Sequence, residues 1–261
     1  MVIDPIRATL ESLRSADNRE LERSLLELSE RLAAMPEADY RGAVEAVCSL
    51  FYIDTYDRPD LEPALDLAVQ VLARQGVRVA PLLLEFMEGS DIKSHLHLAQ
   101  AIGAIGPGVV PQLRRFIATA DDPYGRAFAL FALGKVRDSA VHDALPEVVG
   151  ALMHPDKEVR DSAARTLGKI AEVTPAEALT ERRRTELFEA LYRTLSDRLP
   201  AVRAKAIRSL GKLAGARYLN AAQVDKLRTT LLRLAGKDEQ YDWDQAFIVR
   251  REAEEALARL R

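Results

Sequence analysis

Cysteine is nearly absent: Cys48 stands alone in 261 residues. A single thiol allows no intramolecular disulfide and no cysteine-based zinc site. Histidine is scarce as well (His95, His97, His142, His154), and the only tryptophan is Trp243. Long apolar runs are missing, so no window approaches the roughly 20 residues that cross a bilayer. The opening MVIDPIRATLESL also lacks the apolar core of a signal peptide. These absences lead to the expectation of a reducing, cytoplasmic setting without a membrane partner. There is no glycine-rich phosphate loop, no G-x-S-x-G elbow and no cysteine with a nearby base, which removes the commonest catalytic motifs. His95 and His97 are two apart, so on a helix they point about 200° away from each other and cannot share a metal. No cofactor is expected.

A strong overall charge is missing too. The net of −3 comes from 37 basic and 40 acidic residues, which gives no general attraction to polyanions. The balance is uneven along the chain. Residues 1–149 hold 15 Lys/Arg against 23 Asp/Glu, a net of −8, and residues 150–261 hold 22 against 17, a net of +5.

What the chain does have is repetition. HPDKEVRDSAARTLGKIAEV, residues 154–173, returns as SDRLPAVRAKAIRSLGKLAG, residues 196–215. Val159, Ala163, Leu167 and Ile170 sit at offsets 0, 4, 8 and 11, which a period of about 3.6 residues gathers on one side of a helix. The same offsets select Val202, Ala206, Leu210, Leu213 and then Val249, Ala253, Leu257, Leu260. Upstream they select Gly125, Ala129, Leu133, Val136 and Ser94, Leu98, Ile102, Ile105, where the first apolar member is lost. Each templated helix follows another apolar helix: APLLLEFM, VVPQLRRFI, ALPEVVGALM, LFEALYRTL and LRTTLLRLA. The unit is a helical hairpin that cannot hide its own apolar side, so units must stack as an α-solenoid.

These residues resemble the HEAT repeats. The family's second-helix signature reads Asp156, Val159, Arg160, Ala163, Leu167, Gly168, Ile170 in one copy and Val202, Arg203, Ala206, Leu210, Gly211, Leu213 in the next. Pro81, Pro111 and Pro146 match the first-helix proline, lying 22, 23 and 22 residues ahead of Gly103, Gly134 and Gly168. The resemblance implies an all-α fold, an α–α superhelix of about seven hairpins forming one solenoid over residues 1–261. Within it, residues 1–76 would be an atypical N-terminal helical cap and residues 77–261 the HEAT-like repeats, ending in the polar cap REAEEALARLR. The extra length in EVTPAEALTERRRTE, residues 172–186, reads as a longer connection between units. The resemblance also implies that Arg126, Arg160, Arg203 and Arg250, with His95 in the same slot, tie neighbouring units together through acidic or carbonyl partners.

In HEAT solenoids the second helices line the concave surface. At about 100° per residue, offset 6 points away from the buried stripe and offsets 3 and 10 flank it. Offset 6 reads Gln100, Phe131, Arg165, Arg208, Glu255, offset 3 begins with His97 and Phe128 and includes Lys205, and offset 10 includes Lys135, Lys169 and Lys212. The candidate partner-binding residues are therefore His97, Gln100, Phe128, Phe131, Lys135, Arg165, Lys169, Lys205, Arg208 and Lys212. Two phenylalanines beside a run of cations suit an acidic or amphipathic protein segment. The competing reading is that both rings pack between helices and the cations form an ordinary solvated face. The expected function is a non-catalytic protein-binding scaffold or adaptor.

Other relatives of this fold bring alternatives. Nucleic acid on the basic half is one, although the net charge of −3 and the acidic first half disfavour general phosphate binding. The HEAT-like deoxyhypusine hydroxylases need His-Glu pairs, which are missing. The HEAT-like glycosylases for alkylated bases use tryptophans and a carboxylate in a basic groove, whereas Trp243 lies in acidic DEQYDWDQ. The HEAT-like phycobilin lyases carry little signature beyond the repeat, so that reading stays open. YIDTYDRPD, residues 52–60, reads as a loop.

Overall fold

A computed structural model describes residues 5–15, 17–89, 92–238 and 242–260. Residues 1–4, 239–241 and 261, which entered the readings of the chain start, of DEQYDWDQ and of the C-terminal cap, lie outside them. Among the described residues there are fourteen α-helices, short 3-10 turns and no strand.

The chain divides into two compact units, Met1–Phe116 and Ile117–Arg261. The boundary between them falls within α7 (Val110–Thr119). The first unit holds α1 (Pro5–Ser12), α2 (Asn18–Leu32), α3 (Glu37–Cys48), α4 (Glu62–Ala73), α5 (Ala80–Gly89) and α6 (Ile92–Ala104). There α2, α4 and α6 lie side by side, burying Leu21, Leu25, Leu28, Leu65 and Leu72. YIDTYDRPD is indeed a loop, and Tyr56 at its tip is almost wholly exposed.

The second unit holds α8 (Pro123–Leu133), α9 (Leu145–Ala151), α10 (Lys157–Val173), α11 (Glu181–Thr194), α12 (Pro200–Gly215), α13 (Ala221–Leu234) and α14 (Phe247–Arg259). The templated helices α8, α10, α12 and α14 pack against one another in order, with α9, α11 and α13 as a second layer. Six pairs consecutive in the chain pack as hairpins: α1 with α2, α3 with α4, α5 with α6, α9 with α10, α11 with α12 and α13 with α14. The predicted seams are the core: Val159, Ala163, Leu167, Ile170, Val202, Ala206, Leu210 and Leu213 are all buried. In the last copy Leu257 is only half-buried. Each buried leucine or valine contributes about 1.5–3 kcal/mol.

Local signals set the helix starts. Asp122 accepts from the Tyr124 and Gly125 amides, and Asp156 from those of Glu158 and Val159, satisfying donors that a first turn leaves open. Pro81, Pro111 and Pro146 stand second in α5, α7 and α9, where the missing N–H costs nothing. GAIGPG stops α6 at Ala104 and turns at Gly106 (φ 91°) before α7, a left-handed conformation that favours glycine. The insertion at 172–186 is a correction: α10 runs on to Val173 and α11 starts at Glu181, so most of the extra length extends helices and only residues 174–180 connect them.

Candidate functional site

At Arg160 and Arg203 the arginine slot ties neighbouring hairpins, as the resemblance implied, whereas Arg126 and Arg250 donate to carbonyls of the turn before their own helix. Arg160 donates to the backbone carbonyls of His154 (2.9 Å) and Pro155 (2.8 Å) and grips Asp197 of the next hairpin with Nε (2.6 Å) and Nη2 (3.2 Å). Arg203 repeats this with the Asp197 carbonyl (2.8 Å) and the Asp244 carboxylate (2.7 and 2.8 Å). Burial would raise both aspartates, but the arginine and backbone hydrogen bonds override it and hold each below the usual carboxylate range. These rungs fix the spacing of α10, α12 and α14, and so of whatever their outer sides present.

On α8, Phe128 and Phe131 meet edge to face with ring centroids 6.5 Å apart, and both are half-buried. Lys135 Nζ lies 5.0 Å above the Phe131 ring. Arg165 reaches across from α10, its guanidinium carbon 5.4 Å from the same ring. One aromatic platform therefore carries two cations from two helices, an attractive arrangement. Neither phenylalanine is sealed beneath other helices.

The rest of the expected ridge is different. Glu172 accepts from Lys169 (2.9 Å) and Lys212 (2.8 Å), strapping α10 to α12. Burial pushes the Lys212 ammonium down, with Glu172 acting the other way. Burial likewise opposes the Glu172 charge, but the two lysines hold its carboxyl below the usual range. Arg208 forms a two-pronged ion pair with Glu252 on α14, Nε to Oε2 at 2.9 Å, and the Glu252 side chain is only 2% exposed. Asp161 sits among Lys205, Arg165 and Arg208, and burial raises its carboxyl despite them. The run of one sign is thus interleaved with Asp161, Glu172 and Glu252. Among the described residues Lys135, Arg165 and Lys205 have no ion-pair partner.

His97 and Gln100 belong to the first unit. The His97 ring lies flat on Phe51 at 5.0 Å with 12° between planes, and burial pushes its imidazole down. It is a packing residue of that unit. Sequence reasoning missed Glu172, whose only signal is its place three residues after Lys169. Glu252, at offset 3 on α14, is buried by the close approach of α12. Among the described residues no cluster of metal-ligating side chains occurs, and no single helix is long and apolar enough to cross a membrane.

An all-helical chain of stacked hairpins with this arginine ladder defines an α–α superhelix. Residues 110–186 match the family model described as HEAT repeats. No curated protein matches the sequence. Among solved structures, Kap121p aligns at TM-score 0.65 and 16% identity over 98% of this chain and 29% of that one. Kap121p bound to Nup53p aligns at TM-score 0.64 and 15% identity, again over 98% and 29%. An engineered protein aligns at TM-score 0.49 and 20% identity over 99% of this chain and 97% of its own. The chain thus spans less than a third of Kap121p, and at these identities the likeness is one of fold.

Proposed function

We propose that this protein is a binding scaffold whose second-helix face on α8, α10 and α12 holds a segment of another protein. The observation that carries the reading is the Phe131 platform, half-buried and flanked by Lys135 and Arg165 from neighbouring helices. An aliphatic or aromatic side chain would rest on Phe128 and Phe131, and a carboxylate would meet Lys135, Arg165 or Lys205. Two cations over a ring, with Lys205 also without an ion pair among the described residues, fit a short acidic, amphipathic stretch better than a nucleic acid backbone, because Lys169, Arg208 and Lys212 are engaged within the chain. That Kap121p is seen with Nup53p, Ste12p and the extreme C-terminus of the phosphatase Cdc14p supports protein segments as ligands of such folds. A non-catalytic role and a cytoplasmic location, the latter resting on the lone buried Cys48, belong to the same proposal.

The test uses two fluorescein-labelled helical peptides, one with leucine and glutamate faces and one with leucine and lysine faces, read by anisotropy. The acidic peptide binds, and Phe131→Ala or Arg165→Glu weakens it about tenfold or more with helical circular dichroism unchanged. Equal binding of both peptides, or unchanged binding by both variants, rejects the site.

A further inference from the structure

The arginine ladder has one rung built differently. Arg126, Arg160, Arg203 and Arg250 each donate to the backbone carbonyl six residues earlier, those of Ala120, His154, Asp197 and Asp244. At three of these acceptor positions the side chain also caps the amide two residues on. Asp197 Oδ1 accepts from Leu199 (2.9 Å), Asp244 Oδ1 from Ala246 (2.9 Å) and His154 Nδ1 from Asp156 (3.1 Å). His154, Asp197 and Asp244 are therefore geometric equivalents. Asp197 and Asp244 turn their carboxylates to the arginine of the preceding hairpin. His154 has an imidazole in the place where Arg126 would find that carboxylate, and among the described residues the buried Nε of Arg126 has no hydrogen-bond partner.

We propose that His154 makes the joint between α8 and α10 a proton-sensitive one, closed when its imidazole is neutral and loosened when it takes up a proton. The chemistry is local. In the neutral ring Nδ1 is the acceptor for the Asp156 amide. A proton taken from solvent converts that nitrogen into a donor facing a donor, so the cap is lost. The same proton sets a cation beside Arg126 of α8 and Arg160 of α10, with Asp156 as the one opposing charge on its own strand of chain. Across the adjoining groove, a cavity of about 590 Å³, stand Arg193, Arg198 and Asp197, the last already held by Arg160. The surroundings are thus dominated by cations, and burial and Arg126 both push the His154 imidazole below its ordinary range.

The joint matters for the proposed site because α8 carries Phe131 and α10 carries Arg165, which touch across it. Resting on that reading, protonation of His154 would draw Arg165 off the Phe131 ring and weaken capture of an acidic segment. The joint itself depends on no partner.

The experiment is hydrogen exchange and thermal unfolding of the full chain at about pH 7.5 and about pH 5.5, bracketing histidine titration, for the wild type, His154→Gln and His154→Asp. In the wild type, protection of amides in α8 and the first turn of α10 falls about tenfold on acidification after correction for intrinsic chemistry. His154→Gln keeps a cap but cannot charge, and it loses that pH response. His154→Asp restores the carboxylate rung and melts higher than the wild type at neutral pH. A His154→Gln protein that responds to pH like the wild type overturns the proposal, and so does an Asp variant that is no more stable or fails to fold. If the Phe131 and Arg165 variants leave peptide binding unchanged while the joint still responds to pH, the binding site alone is wrong.

Discussion

Gly168 shows how closely the helices meet. A Cβ there would collide with the Ser209 side chain and come within 3.1 Å of Lys212 Cδ, and the Ser209 hydroxyl is itself held at 2.6 Å by the Ala164 carbonyl. Gly150, in α9, has nothing within 4 Å of the same built atom. Gly168→Ala therefore destabilises by about 1–3 kcal/mol through overpacking, while Gly150→Ala stabilises by about 0.5–1 kcal/mol through a stiffer unfolded chain. Urea unfolding of the two variants checks both signs. The recurring glycine was legible in the sequence as a register mark, since Gly134, Gly168 and Gly211 each stand nine residues after the first stripe position, Gly125, Val159 and Val202. The pairs that cancel the basic ridge were not. Lys212 and Glu172 meet because α10 and α12 lie side by side, and no period within one helix encodes which of its polar residues will face a neighbour's.

Helices were the most legible level, because their seams, caps and stops are written locally. Stripes at offsets 0, 4, 8 and 11 found α6, α8, α10, α12 and α14, and their partners followed from the apolar stretches between. The reading erred at 172–186, where EVTPAEALTERRRTE lacks the template although helical turns continue through much of it. Ala164 and Gly168, buried on α10, correspond to exposed Glu254 and Ala258 on α14, so the last helix turns a polar side outward. α13 starts with a reciprocal cap in which Asn220 accepts from the Gln223 amide (2.9 Å) and Gln223 accepts from the Asn220 amide (3.1 Å). Asn220→Ala removes one half and costs about 1 kcal/mol. Amide exchange in the first turn of α13 should accelerate while α10 is unaffected.

Two compact units with opposite charge make up the whole. Residues 1–116 hold 12 basic and 18 acidic side chains, a net of −6, and residues 117–261 hold 25 and 22, a net of +3. The drift in charge was visible in the sequence, but the boundary within α7 was not, since no glycine- or proline-rich hinge marks it. Acid should destabilise in two stages. His97 and His154 are held below the ordinary value of 6.5, so the unfolded chain binds those protons first. Their contribution is complete above about pH 6.5 and is lost as pH falls. Asp197, Asp244, Glu172 and Glu252 are depressed carboxylates, whose contribution is present above the unfolded range near pH 4 and lost below it. Urea midpoints measured across the acid range should fall in these two steps, and a single step below about pH 4 would contradict the histidine part. The Glu172 strap and the Arg208–Glu252 pair have one more consequence, for the kinetics of encounter. With half of its cations neutralised at home, the second-helix face exerts a weak long-range field, so a partner would arrive by ordinary diffusion at about 10⁵–10⁶ M⁻¹s⁻¹. Its residence time would then be set by short-range contacts, the grip of two phenylalanine rings together with the cations Lys135 and Arg165 beside them.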